Sequence, residues 1–476
     1  MGEPKVNEWA RPVGALEGGF YYDDDRPAAW RPQRLYAFGY WGYDWAPTRE
    51  RVEILDTDRR FVRCAPPYGE YELAVGQRFY FFNVMEEVTE PGDYCIDYDN
   101  NAVLFRPFDG EVPEEIFLSV CDKPAFALSG TRDVVIDGFT IEAFRGNGMT
   151  LRDCRDVRIT NCTFRNLGNR AINVDDSAGV TIAGCEFYDT GDGGVAFYCG
   201  DRRTLTPAGC SVERCRFHDI ARWDRCYEPP VRLYGVGLKA VGNVIHDCPH
   251  SAILYGGNEI DIDGNEIYRV VTETGDAGAI YAGRDFTFRG NTIKNNFIHH
   301  VTGSVGFGVM GIYNDDMLCG TKITGNVFYK VQRAVFLGGG DNFLIENNVF
   351  IRCEPAIEVD SRGTSPHPVW RKMIDETMRE RFYHVDGTDV SAADPPYTDR
   401  YPELRAVDAA FRAGDKALIP PSAEIRGNVF CASRRVNFLW DMTETDNVTA
   451  GGEEVDLEAL RARLTPEQFA VVDDDE

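Results

Sequence analysis

The octapeptide Val157-Arg-Ile-Thr-Asn-Cys-Thr-Phe164 decides the fold, because its pattern returns along the chain. Apolar and polar side chains alternate in it, a Cys fills the sixth place, and a Phe or Ile fills the eighth. The sixth place holds Cys in the units at 157–164, 180–187 and 210–217, and Asn in the units at 238–245, 260–267, 286–293, 321–328, 343–350 and 423–430. With 134–141, where Phe139 takes that place, there are ten units, most of them about 22 to 30 residues apart.

Alternation with a period of two indicates short strands, and a fixed spacing of this length indicates a solenoid. The spacing is too short for a propeller blade, and the Leu pattern of leucine-rich repeats is absent. A second family of short strands accompanies the first, as in Ala171-Ile-Asn-Val174, Ala279-Ile-Tyr-Ala282 and Gly311-Ile-Tyr-Asn314. We therefore predict an all-β fold, a right-handed parallel β-helix of about ten coils.

The recurring Cys and Asn residues are predicted to be structural. Equivalent side chains of a β-helix stack on one another, and an inward Asn satisfies the backbone groups that a turn leaves unpaired. A Cys fills the same place as a small buried apolar residue. These residues are therefore expected to form a ladder in the core and not a ligand set.

Composition limits the classes of partner. The 476 residues carry 77 acidic against 50 basic side chains, a formal charge of −27, which argues against nucleic acid and anionic membranes and favours a neutral glycan. The fourteen Cys residues follow no disulfide or zinc spacing, so no metal and no cofactor are predicted. No signal peptide or membrane-spanning run is visible, so we expect a cytoplasmic protein. A homo-oligomer is compatible with its size.

Four regions are predicted from changes in pattern. Residues 1–120 are rich in aromatic side chains, contain strand-like runs at 60–64, 71–75, 78–84 and 102–106, and are expected to form a β-rich module that caps the solenoid. Residues 121–363 form the β-helix with the active site, and 364–422 a partly helical insertion before the last coil. Residues 423–476 supply that final coil and a C-terminal cap.

Acidic, tyrosine and arginine side chains gather on neighbouring coils, directly beside the second strand family. The segments are Glu273-Thr-Gly-Asp-Ala-Gly-Ala-Ile-Tyr-Ala-Gly-Arg-Asp285, Gly311-Ile-Tyr-Asn-Asp-Asp316 and Ala356-Ile-Glu-Val-Asp-Ser-Arg-Gly363. If the Ile residues point inward, Asp315 and Asp360 point outward, Gly283 shares their column, and Arg284 lies beside Asp316. Asp276 precedes its strand, so by register it lies farther from Asp315 than Asp285 does.

Such an arrangement suits paired-acid chemistry. Strands on adjacent coils lie roughly 5 Å apart, and glycosidases use carboxyl groups separated by about 5 to 10 Å. One carboxyl must stay protonated and the other ionised, a division that burial and a neighbouring Arg produce. Tyr281, Tyr313, Arg284 and Arg362 are predicted to orient the sugar, together with Glu273, Asp285 and Asp360. His250, one coil earlier, is a further candidate for binding, and a Ca²⁺ site built from Asp side chains is a weaker possibility.

These segments, together with Gly338-Gly-Gly-Asp-Asn342, resemble the right-handed β-helical glycoside hydrolases, relatives of bacterial enzymes with β-xylosidase, xylanase and α-L-fucosidase activity. Residues 76–94 resemble the accessory β-module of that family, so the resemblance covers about 25–363. It implies catalysis by Asp276 with Asp315 or Asp316, and Asp285 is the alternative by geometry. Members of that family usually carry a further N-terminal β-helix segment and a secretion signal.

The predicted function is therefore hydrolysis of a neutral oligo- or polysaccharide by paired carboxylates. Two alternatives remain open. A β-helical polysaccharide lyase or epimerase would need a base that takes a proton from a uronate, and Lys is scarce on this face. A non-catalytic glycan-binding solenoid would tolerate loss of the acids.

Overall fold

The computed structural model describes residues 9–303, 306–414, 419–438 and 442–475. Contacts divide the chain into two compact units, over 1–118 and 119–476. The first holds a six-stranded antiparallel sheet, whose strands in spatial order are Gly14–Leu16, Gly19–Tyr21, Phe61–Cys64, Pro47–Asp56, Tyr36–Tyr40 and Arg78–Phe82. A hairpin of Tyr94–Asp97 with Ala102–Phe105 and two 3-10 helices, Arg26–Ala29 and Met85–Glu87, complete it.

The core of this first unit is aromatic. Phe20 packs against Trp41 and Phe79, and all three side chains are buried. Three of the four strand-like runs of the sequence contain strands, but 71–75 contains none. There the backbone N–H of Ala74 donates to the carbonyl of Trp41 without pairing as a strand, so that prediction is wrong.

The second unit is a right-handed parallel β-helix, as predicted, with three parallel sheets of eleven strands each. Sheet A contains Val135–Asp137, Arg158–Thr160, Thr181–Ala183, Ser211–Glu213, Lys239–Val241, Asp261–Asp263, Thr292–Lys294, Lys322–Thr324, Phe343–Glu346, Ala423–Arg426 and Thr443–Thr445. Sheet B contains Thr140–Glu142, Thr163–Leu167, Glu186–Thr190, Arg216–His218, Val244–His246, Glu266–Tyr268, Phe297–Val301, Val327–Val331, Val349–Ile351, Val429–Cys431 and Val448–Ala450. Sheet C contains Phe126–Ser129, Met149–Arg152, Ile172–Asp175, Val195–Cys199, Val231–Val236, Ile253–Asn258, Ala277–Gly283, Val309–Asp315, Arg333–Leu337, Ile357–Val359 and Val436–Phe438.

The last coil was not visible in the repeat pattern. Thr443–Thr445 and Val448–Ala450 continue sheets A and B beyond the coil that was predicted to be final. Residues 443–445 are exposed, so this strand carries no inward apolar residues. A search for alternating apolar residues therefore misses it.

The helices lie in the insertion and near the C-terminus. One continuous helix runs through Pro368–Lys372, a π-helical turn Met373–Met378, and Arg379–Tyr383. The remaining helices are Tyr397–Arg400, Leu404–Arg412, Leu457–Arg461 and Pro466–Asp475, with 3-10 turns at Arg362–Thr364 and Val385–Gly387. Helical side chains including Phe382 and Phe411 form a second apolar core with Phe286 and Met317 of the solenoid. No helix in the described part of the chain is long and apolar enough to cross a membrane.

The predicted ladder is present inside the solenoid. The backbone N–H of Cys162 donates to the Cys185 thiol, that of Cys185 to the Cys215 thiol, and that of Cys215 to the Asn243 side chain. From there each Asn donates its side-chain N–H to the Asn of the next coil, and all but the last are buried. The members are Asn243, Asn265, Asn296, Asn326, Asn348, Asn428 and Asn447.

One unit of the repeat was assigned in the wrong frame. Asn296, and not Asn291, continues the ladder, since the unit on that coil is 291–298. Asn291 is buried at a different turn, where its side chain accepts from the N–H of Ile260 and donates to the carbonyl of Gly257. Both frames place an Asn in the sixth position, so the sequence pattern did not separate them.

Candidate active site

Two neighbouring strands of sheet C build the centre of the site. In Ala277–Gly283 and Val309–Asp315 the register pairs Ile280 with Ile312 and Gly283 with Asp315. Both Ile side chains are buried in the core, so alternation turns Tyr281, Tyr313 and Asp315 to the outer face. A Cβ atom at Gly283 would lie 3.0 Å from that of Asp315, which explains a glycine there.

Asp315 lies in a dense hydrogen-bonded cluster. Its carboxylate accepts from the Tyr281 hydroxyl at 3.0 Å, from the Asp316 backbone N–H at 2.8 Å, and from Arg362. The side chain is 10% exposed. Burial, followed by the charge of Asp316, raises the pKa of Asp315 to about 6 against the opposing effect of Arg362. A group with this pKa can hold a proton near neutral pH.

Asp316 shares one amino nitrogen of Arg362 with Asp315 and is enclosed by two guanidinium groups. Its carboxylate is 2.5 Å from Nε of Arg284 and 2.8 Å from an amino nitrogen of Arg362. Only 3% of its side chain is exposed. The predicted position of Arg284 beside Asp316 is therefore confirmed, and Asp316 is the least accessible of the three predicted catalytic acids.

Asp276 reaches the cluster although its register position suggested otherwise. Its carboxylate accepts a 3.0 Å hydrogen bond from the hydroxyl of Tyr313, and its backbone takes a left-handed φ of 52°. A Cβ atom at Gly278 would lie 2.6 Å from that of Tyr313, so glycine leaves room for the tyrosine ring. The Tyr313 side chain is thus long enough to contact Asp276, although the two residues are far apart in the strand register.

The environment of Asp276 differs from that of Asp316. Burial raises the pKa of Asp276, while the bond from Tyr313 and the charge of Arg362 lower it by less. Its side chain is only half-buried, and the described residues form no ion pair with it. Asp276, Asp315 and Asp360 are therefore all less enclosed than Asp316, and Asp276 alone of the four forms no ion pair with the described residues.

Arg362 connects these parts. Its guanidinium contacts Asp315, Asp316 and, through Nε at 2.6 Å, Asp360. The ring of Trp370, from the helical insertion, lies 4.8 Å from the guanidinium carbon. Burial raises the pKa of Asp360 in spite of this arginine. The contribution of Trp370 was missed, because nothing in the repeat links the insertion to the acids.

Three predicted site residues lie outside the cluster. His250 is buried and bonds to the Thr274 hydroxyl at 2.9 Å, and burial lowers its pKa to about 3, so the ring is neutral. Glu273 forms a partly buried ion pair with Arg225. Asp285 accepts from the backbone and hydroxyl of Thr287 and faces a different network.

A cleft of about 430 Å³ opens beside Tyr281. Aromatic rings, two glycines of sheet C and a loop of the insertion form its walls. Its lining includes Tyr227, Arg232, Tyr234, Gly256, Tyr281, Gly283, Asp285, Phe288, Arg381 and Asp386. Asp386 binds the Tyr234 hydroxyl at 3.0 Å, so the insertion and the solenoid meet across the cleft. A volume of this size is within the range of ligand-binding sites.

No arrangement of three or more His, Cys, Asp or Glu side chains that could hold a metal ion occurs among the residues that the structure describes. The carboxylates of the cluster are instead bound by arginine and tyrosine. Four carboxyl groups, Asp276, Asp315, Asp316 and Asp360, face the two arginines Arg284 and Arg362, so the cluster has an excess of negative charge when all four are ionised.

The family described as "Right handed beta helix region" matches residues 114–217 and 170–367, a span of more than half of the chain. The chain belongs to this right-handed β-helix family. A comparison with curated proteins gave no match. Among solved structures, the β-helix protein is similar to one titled "Glycoside hydrolase", with 12% identity over 98% of this chain and 77% of the other and a TM-score of 0.48.

Two further solved structures are similar to this chain. The catalytic unit of the thermostable GH87 α-1,3-glucanase from Streptomyces thermodiastaticus is 8% identical over 93% of this chain and 86% of the other, with a TM-score of 0.42. A mannuronic acid specific polysaccharide family 6 lyase from human gut microbiota is 12% identical over 72% and 89%, with a TM-score of 0.36.

Proposed function

We propose that the protein is a glycoside hydrolase in which Asp315 and Asp276 form the catalytic pair. The observation that carries this proposal is the contrast among three acids in one cluster. Asp315 has a pKa raised to about 6, Asp276 is half-buried without an ion pair, and Asp316 is enclosed by two arginines. An acid, a second accessible carboxylate and a fixed charge are the parts that this chemistry needs.

Asp315 is the proton donor in this scheme. Its carboxyl transfers the proton to the glycosidic oxygen as the bond from that oxygen to the anomeric carbon breaks. Asp276 then either bonds to the anomeric carbon or takes a proton from the attacking water. If Asp276 bonds to the anomeric carbon, water that gives its proton to the ionised Asp315 then hydrolyses that bond, which frees Asp276 and restores the proton on Asp315. If Asp276 instead takes the proton of the attacking water, Asp315 ends ionised and Asp276 protonated, and proton exchange with solvent restores both.

Asp316 acts through its neighbours and is a positioning residue. Its charge is the second cause of the raised pKa of Asp315, and it anchors Arg284 and Arg362. This differs from a scheme in which Asp316 itself reacts, because a 3% exposed side chain between two guanidinium groups offers a substrate little access.

The tyrosines support hydrolysis over elimination. Burial raises the pKa values of Tyr281 and Tyr313 well above their ordinary range, so both stay protonated. Each donates its hydroxyl proton to a catalytic carboxylate, Tyr281 to Asp315 and Tyr313 to Asp276. A lyase needs a group that removes a proton from the sugar, and protonated hydrogen-bond donors do not do so.

The experiment is a screen of aryl glycosides and oligosaccharides with wild type, Asp315→Asn and Asp133→Asn. Asp133 is an exposed carboxyl of an early coil with a left-handed φ of 54°, which Asn tolerates. We expect wild type and Asp133→Asn to release a monosaccharide from oligosaccharides and Asp315→Asn to lose that activity, because the leaving sugar oxygen needs a proton. Unsaturated products from a uronate polymer would identify a lyase instead. Glycan binding that both variants retain, without turnover by any protein, would identify a binding solenoid.

A further inference from the structure

The cleft beside the acids contains an arginine whose position is fixed by sheet C. In the register, Arg232 pairs with Leu254, and Leu254 pairs with Tyr281. Arg232 therefore shares the outward column of Tyr281, two strands away, roughly 10 Å along the solenoid axis. Tyr281 donates to Asp315 on the following strand, so Arg232 lies three strands from that acid on the same face of sheet C.

This arginine is unpaired in the described part of the chain. It forms no ion pair there, and one of its guanidinium nitrogens donates a hydrogen bond to the backbone carbonyl of Tyr227. Its Nε is buried without a hydrogen-bond acceptor among the described residues. A buried donor left without a partner is costly, and a charged one more so. An arginine that remains unpaired in a protein of net charge −27 indicates a partner that arrives with the substrate.

Three other arginines nearby are paired with carboxylates. Arg284 and Arg362 bind the acid cluster, and Arg202 binds Asp386. Arg381, on the opposite wall of the cleft, donates to the backbone carbonyl of Arg284 and forms no ion pair with the described residues. The cleft thus contains two guanidinium groups whose charges the surrounding protein does not bind directly.

We propose that the cleft binds a sugar unit that carries a carboxylate, next to the unit that is cleaved, and that Arg232 is its partner. The inference rests on the proposed function for the position of the cleavage. A guanidinium binds a carboxylate with two parallel hydrogen bonds, which gives both attraction and orientation. Tyr234 and Phe288, which line the same cleft, offer apolar faces to the ring of that sugar.

This proposal revises the preference for a wholly neutral substrate. That preference came from the net charge of the whole chain, but exposed charges more than about 10 Å from a binding site are largely screened. The cleft holds Arg232 and Arg381 against Asp285 and Asp386, and Asp386 is already engaged by Arg202. An acidic glycan therefore meets a favourable local field in an acidic protein.

The test compares uronate-containing oligosaccharides with their carboxyl-reduced neutral counterparts. Binding is measured by calorimetry with the full chain as wild type, Arg232→Gln and Arg232→Lys. Lys322→Gln is the matched control, because it removes one charge from an exposed position on sheet A. Thermal unfolding of each variant checks that the fold is retained.

We expect wild type to bind at least one uronate probe about 10 to 100 times more tightly than its reduced counterpart. Arg232→Gln should remove that difference while leaving the reduced probe within about twofold, and Arg232→Lys should restore part of it. Lys322→Gln should behave as wild type. Equal affinity of wild type for both members of every pair, no binding of any uronate probe, or a preference that survives in Arg232→Gln would overturn the proposal.

Hydrolysis of aryl monoglycosides separates this outcome from the fate of the proposed function. If wild type hydrolyses such a substrate but shows no preference for a carboxylate, the function stands and the inference fails. If the preference for uronates depends on Arg232 while no glycoside is cleaved, the binding site stands and the hydrolase assignment fails.

Discussion

The inner Asn ladder and the outer acid cluster are both built by stacking polar side chains of successive coils, but the ladder is neutral and the cluster is charged. Each brings polar side chains from successive coils together, because the parallel register places equivalent residues one strand apart. In the ladder every member is neutral, and Asn326 both accepts from Asn296 and donates to Asn348. In the cluster the members are charged, and Asp315 and Asp316 share one arginine.

The difference lies in what satisfies each group. Ladder amides supply both donor and acceptor, so a chain of identical residues satisfies itself in the core. Carboxylates only accept, so a stack of them requires arginine and tyrosine donors and still leaves one pKa raised. The inner ladder therefore yields stability, and the outer cluster yields groups whose protonation can change during a reaction.

The largest effect is expected from Asp276→Asn. Asn accepts the left-handed backbone of this position, so the variant should fold, while the carboxylate that completes the catalytic pair is lost. We expect kcat/KM to fall by about 10² to 10⁴ with little change in melting temperature. Unchanged activity would remove Asp276 from the pair and favour a different second acid.

Asn326→Ala should act on stability and not on chemistry. It removes four buried hydrogen bonds, two accepted from Asn296 and two donated to Ile293 and Asn348. We expect the free energy of unfolding to drop by about 2 to 5 kcal/mol in denaturant titrations. Asn447→Ala is the control, since the half-buried last member of the ladder can bond to water and should cost about 1 kcal/mol or less. Equal losses at both positions would contradict a cooperative ladder.

The pH dependence of activity tests the protonation state of Asp315. Activity that needs protonated Asp315 should fall as the pH rises above about 6, the pKa of that group. Asp316→Asn removes a charge that raises this pKa and frees Arg362, so the alkaline limb should move to lower pH. A limb that stays in place would separate Asp316 from the protonation of Asp315.

The same shift has a consequence for stability. The pKa of Asp315 rises from 3.8 to about 6 on folding, so the folded state holds the proton more tightly. The stabilisation is present below pH 3.8 and is lost as the pH rises through about 6. Denaturant titrations of wild type and Asp315→Asn over that range should diverge, because the Asn variant has no proton to lose.

The smallest effect is expected from Cys215→Asn, at the junction where the ladder changes from thiols to amides. The thiol of Cys215 accepts from the N–H of Cys185, and an Asn oxygen can replace it there. The new side-chain N–H can donate to Asn243, as the other amides of the ladder do to the next coil. We expect the free energy of unfolding to change by less than about 1 kcal/mol. A large loss would show that thiols and amides are not interchangeable in this core.

Much of the fold could be predicted from the repeat alone. The period, the inward Ile residues and the Cys-to-Asn ladder all follow from short-range alternation, which the sequence displays directly. Errors arose where that signal weakens. Two overlapping octapeptides have Asn in the sixth position, Asn291 in one and Asn296 in the other, and the wrong one was chosen. The last strand, Thr443–Thr445, is exposed and has no apolar alternation.

The site was predictable only in part. The register placed Asp315 opposite Gly283 and Arg284 beside Asp316, as the structure has them. It could not show that Tyr313 reaches Asp276, because side-chain length is not part of a register. Nor could it link Trp370 to the acid cluster or Asp386 to the cleft, since these residues belong to an insertion without a repeat.

The central claim is that Asp315 donates a proton to the departing sugar oxygen. It is tested most directly by hydrolysis of aryl glycosides whose leaving groups range from poor to strongly activated, with wild type and Asp315→Asn. An activated leaving group needs no protonation, so the variant should be slowed by about 10² to 10⁴ on poor leaving groups and by much less on activated ones. Equal slowing across the series, or no slowing at all, would contradict the assignment of Asp315 as the acid.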